Sequence, residues 1–139
     1  MAGKRQEIRP RAGEAEKITI NLGHVDLGRI DLLVAEGFYA TRTDFIRTAI
    51  RNQLDRHEDA VRRSVERRRL DLGLREYTRA DLERARAAGE SLHIQVLGLA
   101  VIAPDVSPEL ALETIASVRV LGALQAPPAV KAALGDRIR

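Results

Sequence analysis

The sequence predicts an α+β protein: an N-terminal strand-helix-helix unit, long linking helices, and a small C-terminal β/α repeat unit of solenoid-like character. Three observations predict this class. One short segment alternates strictly between apolar and polar residues, the segments after it carry apolar residues at helical spacing, and a five-residue motif recurs 24 residues later. The chain has 139 residues, of which 45% are hydrophobic and 3% aromatic, so we expect a folded core made of aliphatic side chains.

The composition excludes several classes of protein. With no Cys, the chain has no disulfide framework, thiolate zinc site or cysteine nucleophile. The first residues are charged and lack an apolar stretch, and no uncharged apolar run reaches about 18 residues. We therefore expect a cytoplasmic, nucleoid-associated protein without membrane contact. The sequence shows no nucleophile–base motif and no phosphate-binding glycine loop, and its three His are scattered. We expect no enzyme activity, no catalytic residue, no cofactor and no metal.

The net charge of +3 lies entirely in the first half of the chain. Residues 1–71 contain 15 Lys and Arg against 12 Asp and Glu, and the remainder is balanced. This excess permits nucleic-acid binding by that half without establishing it. Residues 1–15 mix basic residues with Pro and Gly and show no periodicity, which predicts a flexible basic arm.

Residues 16–22 predict a half-buried strand. Ile18, Ile20 and Leu22 fall on one side of the alternation, and the polar residues between them fall on the other. So short a strand is not stable alone, and the segments that follow it are helical in pattern. Its partner is therefore expected to be the same strand of a second copy.

Two helices are predicted after this strand. The first covers residues 26–36, with Asp26 as its cap and Gly37 ending it in the left-handed conformation. The second begins after Thr41, which with Asp44 forms a predicted capping box, and continues to about residue 70.

The rest of the chain divides into a connector and a repeat unit. Residues 58–91 are predicted to be a helical connector, since a second capping box opens another helix that ends at Gly89. In residues 92–139 the motif of residues 94–98 recurs at 118–122, and Pro, Val and Leu residues match in register beyond it. We expect two repeats of strand, glycine bend, turn and short helix, forming an oligomerisation or partner module.

The stretch from Thr41 to Ile50, Thr-Arg-Thr-Asp-Phe-Ile-Arg-Thr-Ala-Ile, resembles the second helix of the ribbon-helix-helix family of the CopG/Arc/MetJ class of bacterial DNA-binding proteins. The strand and the first helix match that family in order, so residues 16–57 resemble its DNA-binding domain. The resemblance implies an intertwined dimer whose strands pair antiparallel. Its expected dimer core is made of Ile18, Ile20, Leu22, Ile30, Ile46 and Ile50.

The resemblance also implies how DNA is bound. The paired strands would enter the major groove with Lys17, Thr19 and Asn21 as base contacts, and these residue types suit hydrogen bonding to base edges. The start of the second helix would hold a phosphate through Thr41, Arg42 and Thr43. The alternative for these residues is a plain polar strand face and a helix cap. The dense arginine run after residue 61 is expected to be a solvated helix face paired with neighbouring acids, and extra phosphate contact is the alternative.

These patterns favour a sequence-specific regulator that binds double-stranded DNA as a homodimer, with repression by promoter occlusion as the default. A higher oligomer on DNA, or a protein partner, would use residues 92–139. Two alternatives stay open at this point. One is the antitoxin of a toxin–antitoxin pair, and the other is a self-assembling scaffold protein that uses the C-terminal repeats.

Overall fold

The computed structural model describes residues 15–139, which divide into two compact units, residues 15–64 and residues 65–139. The prediction of a flexible arm over residues 1–15 lies outside the described residues except for Ala15. The described part contains six α-helices and a three-stranded sheet, which confirms the α+β class.

The first unit contains helix α1 (His24–Ala35) and helix α2 (Arg42–Arg56). The less exposed side chains of α1 lie at helical spacing, at Leu27, Ile30, Leu33 and Val34, and Ile30 among them is buried. The prediction that Asp26 caps α1 is wrong. The helix begins two residues earlier, Gly23 is the N-cap, and Asp26 lies in the first turn, where a carboxylate still favours the helix dipole.

The turn between α1 and α2 is set by the end of α1. Gly37 has a φ of +89°, as predicted, and its N–H donates to the carbonyl of Val34. The N–H of Phe38 donates to the carbonyl of Leu33. These two bonds form a Schellman motif, which satisfies the last carbonyls of α1 and reverses the chain direction.

The long second helix expected from the sequence is broken at His57. Its φ of −103° and ψ of 13° end α2, and its N–H donates to Leu54, three residues earlier. A separate helix, α3 (Glu58–Arg68), follows and ends at Arg69, which has a φ of +54°. No glycine or proline marks the break, so the continuous apolar stripe concealed it.

The second unit is a parallel sheet with helices between its strands. Its elements are β1 (Asp71–Tyr77), α4 (Arg79–Ala88), β2 (Leu92–Ile102), α5 (Pro108–Thr114), β3 (Ile115–Gln125) and α6 (Pro128–Leu134), followed by a short 3₁₀ turn. The strand order is β1-β2-β3. The prediction of a helical connector over residues 58–91 is wrong in one part, since β1 lies between α3 and α4 and pairs with β2 along its whole length.

The strands stack in register on a column of three glycines. Gly73 pairs with Gly98, and Gly98 pairs with Gly122. All three have positive φ values, +111°, +137° and +123°. A Cβ on Gly98 would lie 2.3 Å from the carbonyl oxygen of Gly73, and one on Gly122 would lie 2.1 Å from that of Gly98. The two repeats expected from the sequence thus continue a first strand, and only glycine fits where the strands bend.

The core of the second unit is aliphatic, as the composition predicts, and lies between β2, β3 and the helices. Its largest fully buried side chains are Leu82, Ile94, Ile102, Ile115, Leu134, Val96, Val118 and Val130. Because Leu82 belongs to α4, this core extends across the predicted boundary at residue 91. The capping box of Thr78 and Asp81 that opens α4 is confirmed, with both reciprocal hydrogen bonds present.

Candidate nucleic-acid interface

The segment predicted to enter the DNA groove is exposed on both of its sides. Lys17, Thr19 and Asn21 are exposed, as base-contacting side chains must be. Their apolar neighbours are exposed as well, with Ile18 at 71% and Ile20 at 57%. The expected strand over residues 16–22 is not formed in this single chain, because these residues have no strand partner within the described part. The backbone groups of a strand need such a partner.

An apolar groove of about 420 Å³ lies against α1 and α2. Five of the residues expected in the dimer core line this groove, namely Ile20, Leu22, Ile30, Ile46 and Ile50. Ile30 is the only buried hydrophobic side chain in residues 15–64, whereas Ile50 and Leu54 on α2 are about half exposed or more. A unit with one buried apolar side chain has too little core to fold stably on its own. The open groove marks where the missing apolar surface must be supplied.

The N-terminus of α2 is capped by side chains. The hydroxyl of Thr41 accepts a hydrogen bond from the N–H of Asp44 at 3.0 Å, which confirms Thr41 as the N-cap. The carboxylate of Asp44 accepts from the N–H of Ala40 at 3.0 Å, one residue earlier than the predicted box. Thr41, Arg42 and Thr43 are exposed together at this end of the helix, where the helix dipole is positive. This is the arrangement that attracts an anion.

Arg42 is already engaged by a carboxylate. Its Nε and Nη2 atoms donate to Oδ1 and Oδ2 of Asp31, each at 2.8 Å, which makes a bidentate ion pair between α2 and α1. The hydrogen bond from Arg42 lowers the pKa of the Asp31 carboxyl, and the same bond raises the pKa of the guanidinium. Both groups are exposed to solvent, so the pair is weak in free-energy terms and open to exchange with another anion.

One aromatic contact fixes the approach to α2. The rings of Tyr39 and Phe45 meet edge to face, with centroids 5.0 Å apart and planes at 83°. Such a contact stabilises the turn beyond the area it buries. It holds the Thr41 cap in place from both sides of the helix start.

Sequence reasoning missed Asp31 as part of this site. Its pairing with Arg42 joins residues eleven positions apart on two helices, so no local spacing indicates it. The predicted base contacts lie on residues 17–21 and the predicted phosphate contacts on residues 41–43. The structure gathers the phosphate contacts at the start of α2, whereas the base contacts lie on a segment that is not paired as a strand.

Within residues 15–139 no cluster of three or more His, Cys, Asp or Glu is suited to hold a metal ion. His57 lies within 3.3 Å of Gln53, and His93 lies within 2.8 Å of the Ser117 hydroxyl, so both rings have polar neighbours. Across the same residues, no helix has the length and apolar character to cross a bilayer.

The exposed alternating segment, the Schellman turn and the Thr-capped second helix follow one another in the order that the ribbon-helix-helix resemblance requires. The chain belongs to the Ribbon-Helix-Helix transcriptional regulator family, whose model matches residues 13–131. This match includes the resemblance found over residues 16–57 and continues through all three strands of the parallel sheet into α6. The second unit is therefore part of the family's own architecture. No curated protein and no solved structure matches the chain.

Proposed function

We propose that the protein is a sequence-specific DNA-binding regulator in which two copies pair their residues 16–22 as a ribbon that enters the major groove. The open apolar groove against α1 and α2 carries this proposal. Filling it with Ile18, Ile20 and Leu22 of a second copy removes exposed apolar surface from both chains. The polar residues between them then face outward from one side of the ribbon.

The outward side chains suit base recognition. Asn21 can make two hydrogen bonds to an adenine edge, and Lys17 can donate to the acceptors of guanine. Thr19 can accept or donate a hydrogen bond or contact a thymine methyl group. Each copy contributes this set, so the DNA site is expected to be a pair of related half-sites.

The start of α2 positions the ribbon on the DNA backbone. The exposed hydroxyl of Thr43 and the free N–H groups of the first turn can donate to a phosphate. Arg42 joins them when it exchanges the solvent-exposed carboxylate of Asp31 for the phosphate held at this end of the helix. These contacts orient the protein and do not distinguish sequences.

The second unit serves assembly or a protein partner in this proposal. A dimer joined to others on DNA would let weak half-sites act together, and occupation of a promoter would repress its gene. The ordered aliphatic core of residues 65–139 is consistent with a folded interaction module.

The proposal is tested by measuring binding of the full-length protein to the DNA upstream of its own gene, with a scrambled sequence as competitor and across a salt series. Specific binding that weakens with salt is the expected result. A truncation after residue 64, at the boundary between the two units, should keep specificity and lose cooperativity. Absence of binding to any DNA at low salt would overturn the proposal.

A further inference from the structure

The two outer edges of the parallel sheet differ, because one is covered at a single position and the other is not covered by the described residues. At the outer edge of β3, Val118 forms a parallel bridge with Ile138, and its carbonyl accepts from the N–H of Arg139 at 2.9 Å. The outer edge of β1 pairs with no strand in the described residues, and residues 71–76 are all exposed. An edge strand with unpaired N–H and C=O groups is a template for another strand.

The glycine column ends on this open edge. The Cβ position of Gly98 points at Gly73, and that of Gly122 points at Gly98, so each bare Cα faces the preceding strand. Gly73 has the same positive φ, and a Cβ there meets nothing in the described chain. By the same geometry its bare Cα faces outward, where it permits a close approach of backbone from another molecule.

The sequence of β1 is complementary to itself when reversed. In an antiparallel pair centred on Gly73, Asp71 of one copy lies opposite Arg75 of the other, and Leu72 lies opposite Leu74. Both leucines are large exposed side chains, at 70% and 52%. Opposite charges and apolar side chains directly across from each other are the pairs that stabilise antiparallel strands.

We propose that β1 pairs antiparallel with β1 of a second copy around Gly73, which joins two three-stranded sheets into one of six strands. The contact is two-fold symmetric, so it closes on two copies and does not grow into a filament. The N-terminal pairing typical of this family supplies the second copy at a high effective concentration. The proposal does not depend on DNA binding.

Head-to-tail stacking of β1 on β3 of another copy is less favourable. Continuing the observed register places Asp71 opposite Val120 and Arg75 opposite Leu124. Both charges would then lack a partner on the facing strand, whereas the two-fold arrangement gives each of them one opposite charge across the strands, so that the pair occurs twice.

Two charge variants test the pairing in the full-length protein. Asp71→Arg leaves Arg at both positions, and Arg75→Asp leaves Asp at both, so each variant alone breaks the ion pair of 3.5 Å within β1 and repels its own copies. A mixture of the two restores both pairings only between unlike copies. After refolding of differently tagged variants together, we expect the ratio of mixed dimers to like dimers to exceed its value for random assortment by about fivefold at low salt.

A matched pair of variants controls for overall charge. Asp105→Arg and Lys131→Asp make the same changes of charge at exposed positions outside β1, on a turn and on α6. The control mixture should assort at random. Random assortment of the β1 variants, or an equal preference in the control mixture, would overturn the proposal.

Cysteine cross-linking distinguishes the two arrangements directly, because the chain has no Cys of its own. The double variant Leu72→Cys/Leu74→Cys should give covalent dimers on oxidation, as seen on a denaturing gel without reductant. Leu72→Cys/Leu121→Cys should stay monomeric on that gel. A ladder of multimers from the second variant, or no dimer from the first, would contradict the two-fold contact.

Discussion

Asp31 and Arg42 form a bidentate ion pair that joins the side of α1 to the first residue of α2, with both N···O distances at 2.8 Å. The pair occupies the guanidinium that the family resemblance assigns to a DNA phosphate. Because both groups are exposed, a phosphate can compete with Asp31 for Arg42. Asp31 would then be the partner of Arg42 only in the protein without DNA.

Replacing Arg42 with Ala should weaken binding to all DNA sequences about equally. The physical reason is that each chain then neutralises one phosphate fewer, and a phosphate carries no sequence information. The slope of log affinity against log salt should become shallower by roughly 0.9 for each phosphate that is no longer neutralised. Asp31→Asn should have the opposite effect on affinity. It frees the guanidinium for a phosphate and should therefore tighten binding to scrambled DNA. An unchanged slope in Arg42→Ala would exclude the phosphate contact.

The same ion pair is expected to make the free energy of unfolding depend on pH. The pKa of Asp31 is lowered in the folded protein from its ordinary value of 3.8, so the ion pair stabilises the fold at neutral pH. This stabilisation is lost as the pH falls through the lowered pKa of the folded state. Asp31→Asn removes the titrating group. Thermal unfolding of the two proteins should therefore converge as the solution is acidified. A difference in unfolding temperature between the two proteins that stays the same at every pH would show that the ion pair does not contribute to stability.

Asn21→Ala should relax sequence preference. If Asn21 contacts an adenine edge, its removal costs about 1–3 kcal/mol per disrupted base contact on the specific site and little on scrambled DNA. Competition binding with single-base variants of the site identifies the affected position. Equal weakening on specific and scrambled DNA would instead indicate a backbone contact.

Ile20→Asp should abolish folding of the N-terminal unit, because Ile20 lines the apolar groove that a second copy has to fill. Circular dichroism and sedimentation measure the outcome. Thr19→Asp is the matched control, since it places the same carboxylate on the polar side of the segment. It should leave the dimer folded and remove DNA binding. A stably folded Ile20→Asp monomer would contradict the intertwined dimer.

Gly98→Ala should destabilise the second unit strongly. The new Cβ would lie 2.3 Å from the backbone oxygen of Gly73 at a φ of +137°, and the strained backbone alone costs about 1–3 kcal/mol. Gly28→Ala is the control, since Gly28 lies within α1 with open space around it, and there Ala should stabilise by about 0.5–1 kcal/mol. Thermal unfolding of the two variants tests both predictions. A neutral Gly98→Ala would contradict the tight stacking of the strands.

The sequence predicted those features whose signals are local. The Thr41 cap, the left-handed Gly37 and the Thr78 capping box each depend on neighbouring residues, and each is present. The ribbon-helix-helix assignment is confirmed as well, since an ordered set of such signals is specific to the family.

Features that depend on distant residues were not predictable in the same way. The strand β1 has three charged residues in seven, and only Leu72-Gly73-Leu74 resembles the later repeats, so its pattern did not indicate a strand. Its pairing with β2 overrides that weak propensity. The ion pair of Asp31 with Arg42 arises only when α1 and α2 are side by side.

The glycine column divides the second unit into intervals of nearly equal length. Successive glycines lie 25 and 24 residues apart in the chain, and each interval returns the backbone to the same place one strand further on. An insertion of one whole interval would add a strand and leave every other contact in register, whereas an insertion of half an interval would misalign all that follows. A change of length by whole intervals is therefore the change that the second unit tolerates best.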